Sequence, residues 1–148
     1  MNKNIKVTTY APNKSHLSEG ALAAFLSAQD IHDMTVIPGI GDESKKHIIE
    51  MTKDDSMPID SGYALIGVYL ALKKKGVNSV EHQNLFLMWL HNHNVIVSAH
   101  TVVQAIAEKM TLTFPVLYDR TAYSDEMDTV HEKMQTTHHE EKRGKKAA

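Results

Sequence analysis

The chain contains no cysteine, few glycines and prolines, and no long apolar run. Without cysteine there can be no disulfide, no thiolate zinc site and no cysteine nucleophile. With 7 Gly and 4 Pro in 148 residues, the composition is unlike that of a fibrous repeat or a disordered linker. The first twenty residues lack the apolar core of a signal peptide, and no segment is long enough to span a bilayer. We therefore expect an intracellular protein without membrane insertion.

The charge balance shows no large basic excess. Lys and Arg number 16 against 18 Asp and Glu, so the net charge is −2 with His neutral. This excludes a protein that attracts polyanions through its overall charge, and any contact with nucleic acid must be local. A length of 148 residues with 42% hydrophobic residues is enough for one stable domain.

Apolar residues recur at helical spacing along the chain, and no pair of strand-like runs stands out. Ser18 is a plausible N-cap, and Asp33 caps a very short helix that must end at Pro38. We therefore predict an all-α fold, a compact five-helix domain. The predicted helices cover residues 19–28, 42–52, 60–72, 80–91 with Ser79 as N-cap, and 99–110 with Ser98 as N-cap.

Segments of different composition flank these helices. The first residues alternate apolar and polar side chains before Pro12, which predicts an extended arm that carries Lys6 as a candidate DNA contact. Near the other end, three apolar residues are spaced for a short helix over residues 125–135. The predicted division is an N-terminal arm at residues 1–16, a helical domain at residues 17–118 and a polar tail at residues 119–148.

A Pro-Gly-Ile-Gly turn follows the very short helix and precedes a longer one. Gly39 and Gly41 lack a Cβ, which permits positive φ and close approach of another group to their backbone. Ile40 anchors the turn in the core. The amides at the start of the next helix, from Asp42 onward, point outward beside the positive end of the helix dipole. Such a pocket fits a DNA phosphate without any base contact.

Two interpretations of this turn stay open. In the first, Lys45 or Lys46, one turn along the helix, adds a charge-assisted contact to a bound phosphate. In the second, the free amides are satisfied by Asp42, Glu43 or water, and the turn is purely structural. The acids count against a phosphate, whereas the preceding short helix and the two lysines favour it.

Three segments resemble the barrier-to-autointegration factor family of small all-helical proteins that bind double-stranded DNA. They are VIPGIGD at residues 36–42, DSGYALIGVYLALKK at residues 60–74 and LFLMWL at residues 85–90. The likeness extends from about residue 33 to residue 110. Its central segment is the most specific, because the spacing of aromatic, glycine and Lys-Lys positions matches. The family also has an acid directly after the second glycine of the turn.

The resemblance implies a helix-hairpin-helix in a homodimer whose two hairpins face apart. Each hairpin would hold one duplex, so that DNA is bridged and compacted regardless of sequence, in the nucleus or wherever else DNA is held. The family has a second phosphate-binding turn before the last helix, built on small residues and a lysine. The corresponding residues 95–99 have neither glycine nor lysine. The backbone near Ser98 and Ala99 is what remains as a candidate contact there.

No other group of residues in the sequence predicts a metal site or a catalytic site. His91 and His93, at the end of the fourth predicted helix and near His100, are expected to be surface imidazoles, without the further ligands that a metal site needs. No nucleophile elbow or pair of carboxylates is present, and we expect neither catalysis nor a cofactor. The alternative function is a dimeric helical scaffold, or a self-assembling structural protein, with protein partners in place of DNA. A module of a DNA-repair enzyme would need a catalytic domain for which this chain is too short.

Overall fold

A computed structural model describes residues 9–123, and this part of the chain is helical and contains no strand. The expected all-α class is confirmed for it. In chain order, short 3₁₀ helices precede, separate or follow the α-helices, at Pro12–Lys14, Met34–Val36, Pro115–Leu117 and Arg120–Tyr123. The α-helices are α1 (Glu19–Ser27), α2 (Asp42–Thr52), α3 (Gly62–Ala71), α4 (Ser79–Asn92) and α5 (Ala99–Thr111).

Local capping explains where the first helices begin. Ser18 Oγ accepts a hydrogen bond from the Ala21 amide at 3.1 Å, which satisfies one of the free N–H groups of α1. Asp33 caps the 3₁₀ helix Met34–Val36 in the same way, through the Thr35 amide. Both caps are those predicted from the sequence, and α2 also has its predicted bounds.

Two helices begin elsewhere than predicted. We expected α3 to start near residue 60, but it starts at Gly62 with Ser61 as its cap. The Gly62 amide is drawn into a tertiary hydrogen bond with the His32 carbonyl at 3.1 Å, which holds this end of the helix. α4 is capped by Asn78 and not by Ser79, because Asn78 and Glu81 form a reciprocal capping box.

The core is centred on α5, whose contacts with α4 and α1 cover it from two sides. Its inner residues are fully buried, and Lys109 near its end lies against α1. α3 buries one face of its apolar surface and exposes the other. The buried residues of these two helices are Gly62, Leu65, Ile66, Tyr69, Ala99, Thr101, Val102, Val103, Ala105, Ile106 and Ala107.

The residues after Thr9 belong to the packed domain, although we expected an extended arm over residues 1–16. Tyr10 and Ala11 are buried, and the Tyr10 hydroxyl lies 2.8 Å from the Tyr118 hydroxyl. The Pro12–Lys14 helix packs on α5. Sequence periodicity cannot show this packing because the partners are distant in the chain.

The chain divides into two units, Met1–Tyr118 and Asp119–Ala148. Within the second unit, the 3₁₀ helix Arg120–Tyr123 is preceded by Asp119, whose carboxylate accepts hydrogen bonds from the Thr121 amide and hydroxyl at 3.0 and 2.6 Å. The short helix that we expected over residues 125–135 lies outside the described residues. No helix within residues 9–123 has the length and apolarity needed to cross a membrane.

Candidate functional site

The turn before α2 is a tight reversal that requires glycine at one position. The Ile40 amide donates to the Ile37 carbonyl at 3.0 Å, and Gly39 between them has φ 95°. Proline followed by a residue with positive φ is the arrangement of a type II turn. Ile37 and Ile40 are 0% and 4% exposed, so both ends of the turn are anchored in the core.

The turn lies directly against the start of α5. The Ser98 hydroxyl donates a hydrogen bond to the Gly39 carbonyl at 2.6 Å. A Cβ added at Gly39 would lie 2.7 Å from Val102 Cγ2, which is too close for any side chain. The two turns that we singled out separately from the sequence are therefore in contact through Gly39 and Ser98.

The two helices that meet here begin without a side-chain cap. α2 has Gly41 at its N-cap position, which carries no side chain. α5 has Ser98 at its N-cap, but that hydroxyl is directed to Gly39 and makes no cap bond. The other three α-helices of residues 9–123 are capped by Ser18, Ser61 and Asn78. Uncapped N–H groups of a first turn are donors for an external acceptor, at the positive end of the helix dipole.

Gly41 plays a different part from the one we expected. Its φ is −95°, so it does not supply a positive φ as Gly39 does. Nothing lies within 4 Å of a Cβ built on it. Glycine at this position has no side chain that could cover the start of α2. The backbone there is therefore accessible from outside.

The two candidate lysines are not equivalent. Lys45 Nζ lies 3.2 Å from Asp33 Oδ1, in an ion pair that links α2 to the preceding 3₁₀ helix. The backbone and side-chain hydrogen bonds from Thr35, together with Lys45, lower the pKa of Asp33 to about 2. Lys46 is exposed and has no ion pair among residues 9–123. Lys46 is therefore the cation that α2 can offer to a ligand.

Acidic side chains stand beside these groups. Asp42 and Glu43 occupy the first turn of α2, where their negative charges interact favourably with the helix dipole and repel an external anion. Glu43 Oε2 lies 3.3 Å from His47 Nε2, one turn along. A surface depression of about 430 Å³ runs along this side of the helix. Its lining is mixed in charge: Asp42, Glu43, Lys45, Lys46, Ile49 and Glu50.

The turn before α5 offers backbone and apolar surface. The Ala99 side chain is fully buried and its amide donates to the Ile96 carbonyl at 3.3 Å, so this predicted site residue offers no free donor to a ligand. Ile96 and Val97 are 53% and 88% exposed directly beside Ser98. These exposed apolar residues had no role in our sequence-based site. A run of Val and Ile next to a helix start is usually read as core, which is why it gave no signal.

The other candidate residues from the sequence are Lys6 and the histidines. Lys6 lies outside the described residues. His93 stacks on Trp89, with ring centroids 3.8 Å apart, and its Nδ1 lies 2.8 Å from the Trp89 carbonyl. Within residues 9–123 no three His, Asp or Glu side chains are grouped so that they could hold a metal ion.

Comparison of the chain with protein-family models, with curated proteins and with solved structures finds no match.

Proposed function

We propose that this chain binds double-stranded DNA without sequence preference, as a homodimer that bridges two duplexes, and that it is not an enzyme. The observation that carries the proposal is the hydrogen-bonded junction of Gly39 and Ser98, where α2 and α5 begin side by side without caps. A phosphodiester backbone presents anionic oxygens at regular intervals, which suits adjacent helix N-termini and needs no base contact. The site of action is the nucleus or any other place where DNA is held.

The charges near the junction set the expected strength of binding. Lys46 is the available cation, Lys45 is engaged by Asp33, and Asp42 with Glu43 opposes an anion. Most of the interaction must therefore come from backbone N–H donors. With one lysine at each hairpin, the slope of log K against log salt should be shallow, on the order of −1 for each duplex bound.

The test is a titration of duplexes of different sequence at several salt concentrations, with wild type and Gly41→Glu. The new carboxylate would stand in the open space before α2 and repel phosphate, so binding should be lost. The fold should survive, because nothing lies within 4 Å of the Cβ. Gly20→Glu is the matched control: Gly20 is equally open in the first turn of α1, which Ser18 caps. Wild-type binding by Gly41→Glu would show that the site is misplaced.

The two lysines supply a second comparison in the same titration. Lys46→Gln should weaken binding to all duplexes alike and reduce the salt slope by about 1, as expected for one lost phosphate contact. Lys45→Gln should change the affinity little, because Asp33 already holds that ammonium group. Equal effects of the two substitutions would contradict the assignment.

The homodimer is proposed from the outer face of α3. Tyr63, Gly67 and Ala71 on this helix are exposed, and Val68 is half-buried. The face consists of small and apolar residues, and a symmetric dimer is the commonest way to bury such a surface.

Light scattering of the full chain at micromolar concentration tests the dimer. We expect a mass of twice 16.6 kDa. Gly67→Glu should reduce it to a single chain, because the carboxylate would be buried unpaired between subunits while it meets nothing within 4 Å in one subunit. A wild-type mass of 16.6 kDa would remove the dimer and with it the bridging of two duplexes.

A scaffold without DNA is the second candidate function. It is favoured by the exposed Ile96 and Val97, which stand where the resembling family has small residues and a lysine. Such a pair suits an apolar protein surface better than a phosphate. A dimer that fails to bind any duplex at low salt would support the scaffold and reject DNA binding.

A further inference from the structure

A segment at the start of the domain is held in place by side chains that bond to its backbone. We call residues 10–16 the N-terminal segment. Its Tyr10 and Ala11 side chains are buried, whereas Lys14 is exposed. Three of its N–H groups donate to α4 and α5: Tyr10 to Asn84 Oδ1 at 2.8 Å, Ala11 to His100 Nδ1 at 3.2 Å and His16 to Thr101 Oγ1 at 2.9 Å.

One of these three acceptors, His100 Nδ1, can no longer accept a hydrogen bond once it is protonated. Because His100 Nδ1 accepts from the Ala11 amide, it carries no proton, and the neutral ring has its hydrogen on Nε2. The ring also stacks against Tyr10, with centroids 5.9 Å apart and planes at 24°. Protonation of Nδ1 would place two N–H groups face to face, so the bond between Ala11 and His100 exists only with the neutral ring.

We propose that His100 is a pH-operated latch, which holds the N-terminal segment on α4 and α5 when neutral and releases it when protonated. The other two acceptors, Asn84 and Thr101, do not titrate. Release uncovers the surface now occupied by Tyr10 and Ala11, and it carries Lys14 away from α5. The proposal does not depend on DNA binding.

The surroundings of His100 make release the acid-favoured state. Burial lowers its pKa, and the positive charges of Lys14 on the segment and of His91 on α4 lower it further. The rings of Tyr10 and Tyr118 also lie at this contact, with centroids 6.1 Å apart. Release removes the burial and the Lys14 charge, so the pKa returns toward its ordinary value and a proton is taken up. Between the two pKa values, the equilibrium constant for release should rise on the order of tenfold per pH unit.

The test is amide hydrogen exchange of the full chain by NMR, at about pH 7.5 and about pH 5, corrected for intrinsic exchange rates. We expect the protection of the Ala11 amide to fall on acidification, because the released state binds one proton more than the attached state. The Ile106 amide in the core of α5 should stay protected, because the opening is local. Unchanged protection of Ala11, or equal loss at Ala11 and Ile106, would overturn the latch.

Two substitutions test whether the acid-induced release of the N-terminal segment depends on the His100 ring. His100→Asn puts a non-titrating oxygen in place of Nδ1, so the segment should stay attached at both pH values. His91→Asn removes a neighbouring positive charge and should shift the release to higher pH without abolishing it. If His100→Asn still released the segment in acid, the proton would act elsewhere and the proposal would fail.

Discussion

At the scale of single residues, two glycines two positions apart have different structural requirements. Gly39 has φ 95°, and a Cβ there would collide with Val102. Gly41 has φ −95° and open space around it. The sequence shows the same residue type at both positions, and only the packing of α5 on the turn distinguishes them.

Alanine substitutions should separate these roles. Gly39→Ala should lower the free energy of unfolding by about 1–3 kcal/mol, because alanine resists positive φ and meets Val102. Gly41→Ala should change it by less than about 0.5 kcal/mol, as for an exposed site without strain. Urea denaturation followed by circular dichroism measures both. Equal losses for the two variants would contradict the turn geometry.

At the scale of helices, α1 and α5 are joined by one lysine. Lys109 Nζ donates to the carbonyls of Phe25, Leu26 and Ala28 at 2.7, 3.1 and 3.0 Å. These carbonyls lie at the C-terminal end of α1, where the regular helical hydrogen bonds run out, and that of Phe25 also accepts from the Ala28 amide at 3.1 Å. The ammonium group also lies 4.9 Å from the centroid of the Phe25 ring. A side chain of α5 thereby caps the C-terminus of α1.

Removal of this ammonium group should weaken the whole domain. Lys109→Met keeps most of the side-chain volume but removes the ammonium donor from the three carbonyls, so we expect a loss of about 1–3 kcal/mol in the free energy of unfolding. Lys74→Met is the control, because Lys74 is exposed in the segment that follows α3. Thermal and urea unfolding should show a clear loss for Lys109→Met alone. A stability equal to that of Lys74→Met would mean that the hydrogen bonds contribute little.

At the scale of the whole molecule, a buried histidine makes the fold sensitive to acid. His82 is 0% exposed and its Nε2 lies 2.7 Å from the Tyr69 carbonyl, so Nε2 carries the proton. Its Nδ1 is buried without a hydrogen-bond partner among residues 9–123. Burial lowers the pKa of His82, and the charge of Lys73 lowers it further. The folded state therefore takes up this proton less readily than the unfolded state.

The sign of the pH dependence follows from that difference. The melting temperature should be constant above about pH 6.5, the ordinary pKa of histidine, and should fall as the pH drops below it, since the unfolded state then binds more protons. His82→Gln retains an N–H donor for the Tyr69 carbonyl but cannot titrate, so its decline should be shallower. Calorimetry between about pH 5 and pH 8 measures both curves. Parallel curves would remove His82 as the cause.

Local features of the sequence determined the helices. The caps at Ser18 and Asp33 act within three residues, and the bounds of α2 follow from Gly41 before it and the acids in its first turn. The apolar periodicity predicted the all-α class, which the described residues confirm. Such interactions lie within one turn of the chain, so they can be predicted without knowledge of the fold. The hairpin was likewise proposed from its residue types alone.

The tertiary structure decided which groups of the site are occupied. The Ser98 hydroxyl bonds to Gly39 instead of capping its own helix, and Lys45 is held by Asp33 while Lys46 is not. The burial of Tyr10 depends on partners from Asn84 to Tyr118. These contacts join residues far apart in sequence, between which residue type and spacing carry no information. The helices could be predicted from the sequence because their stabilising interactions are local. Which hydrogen-bond donors and lysines remain free to bind a ligand depends on how the helices pack against one another.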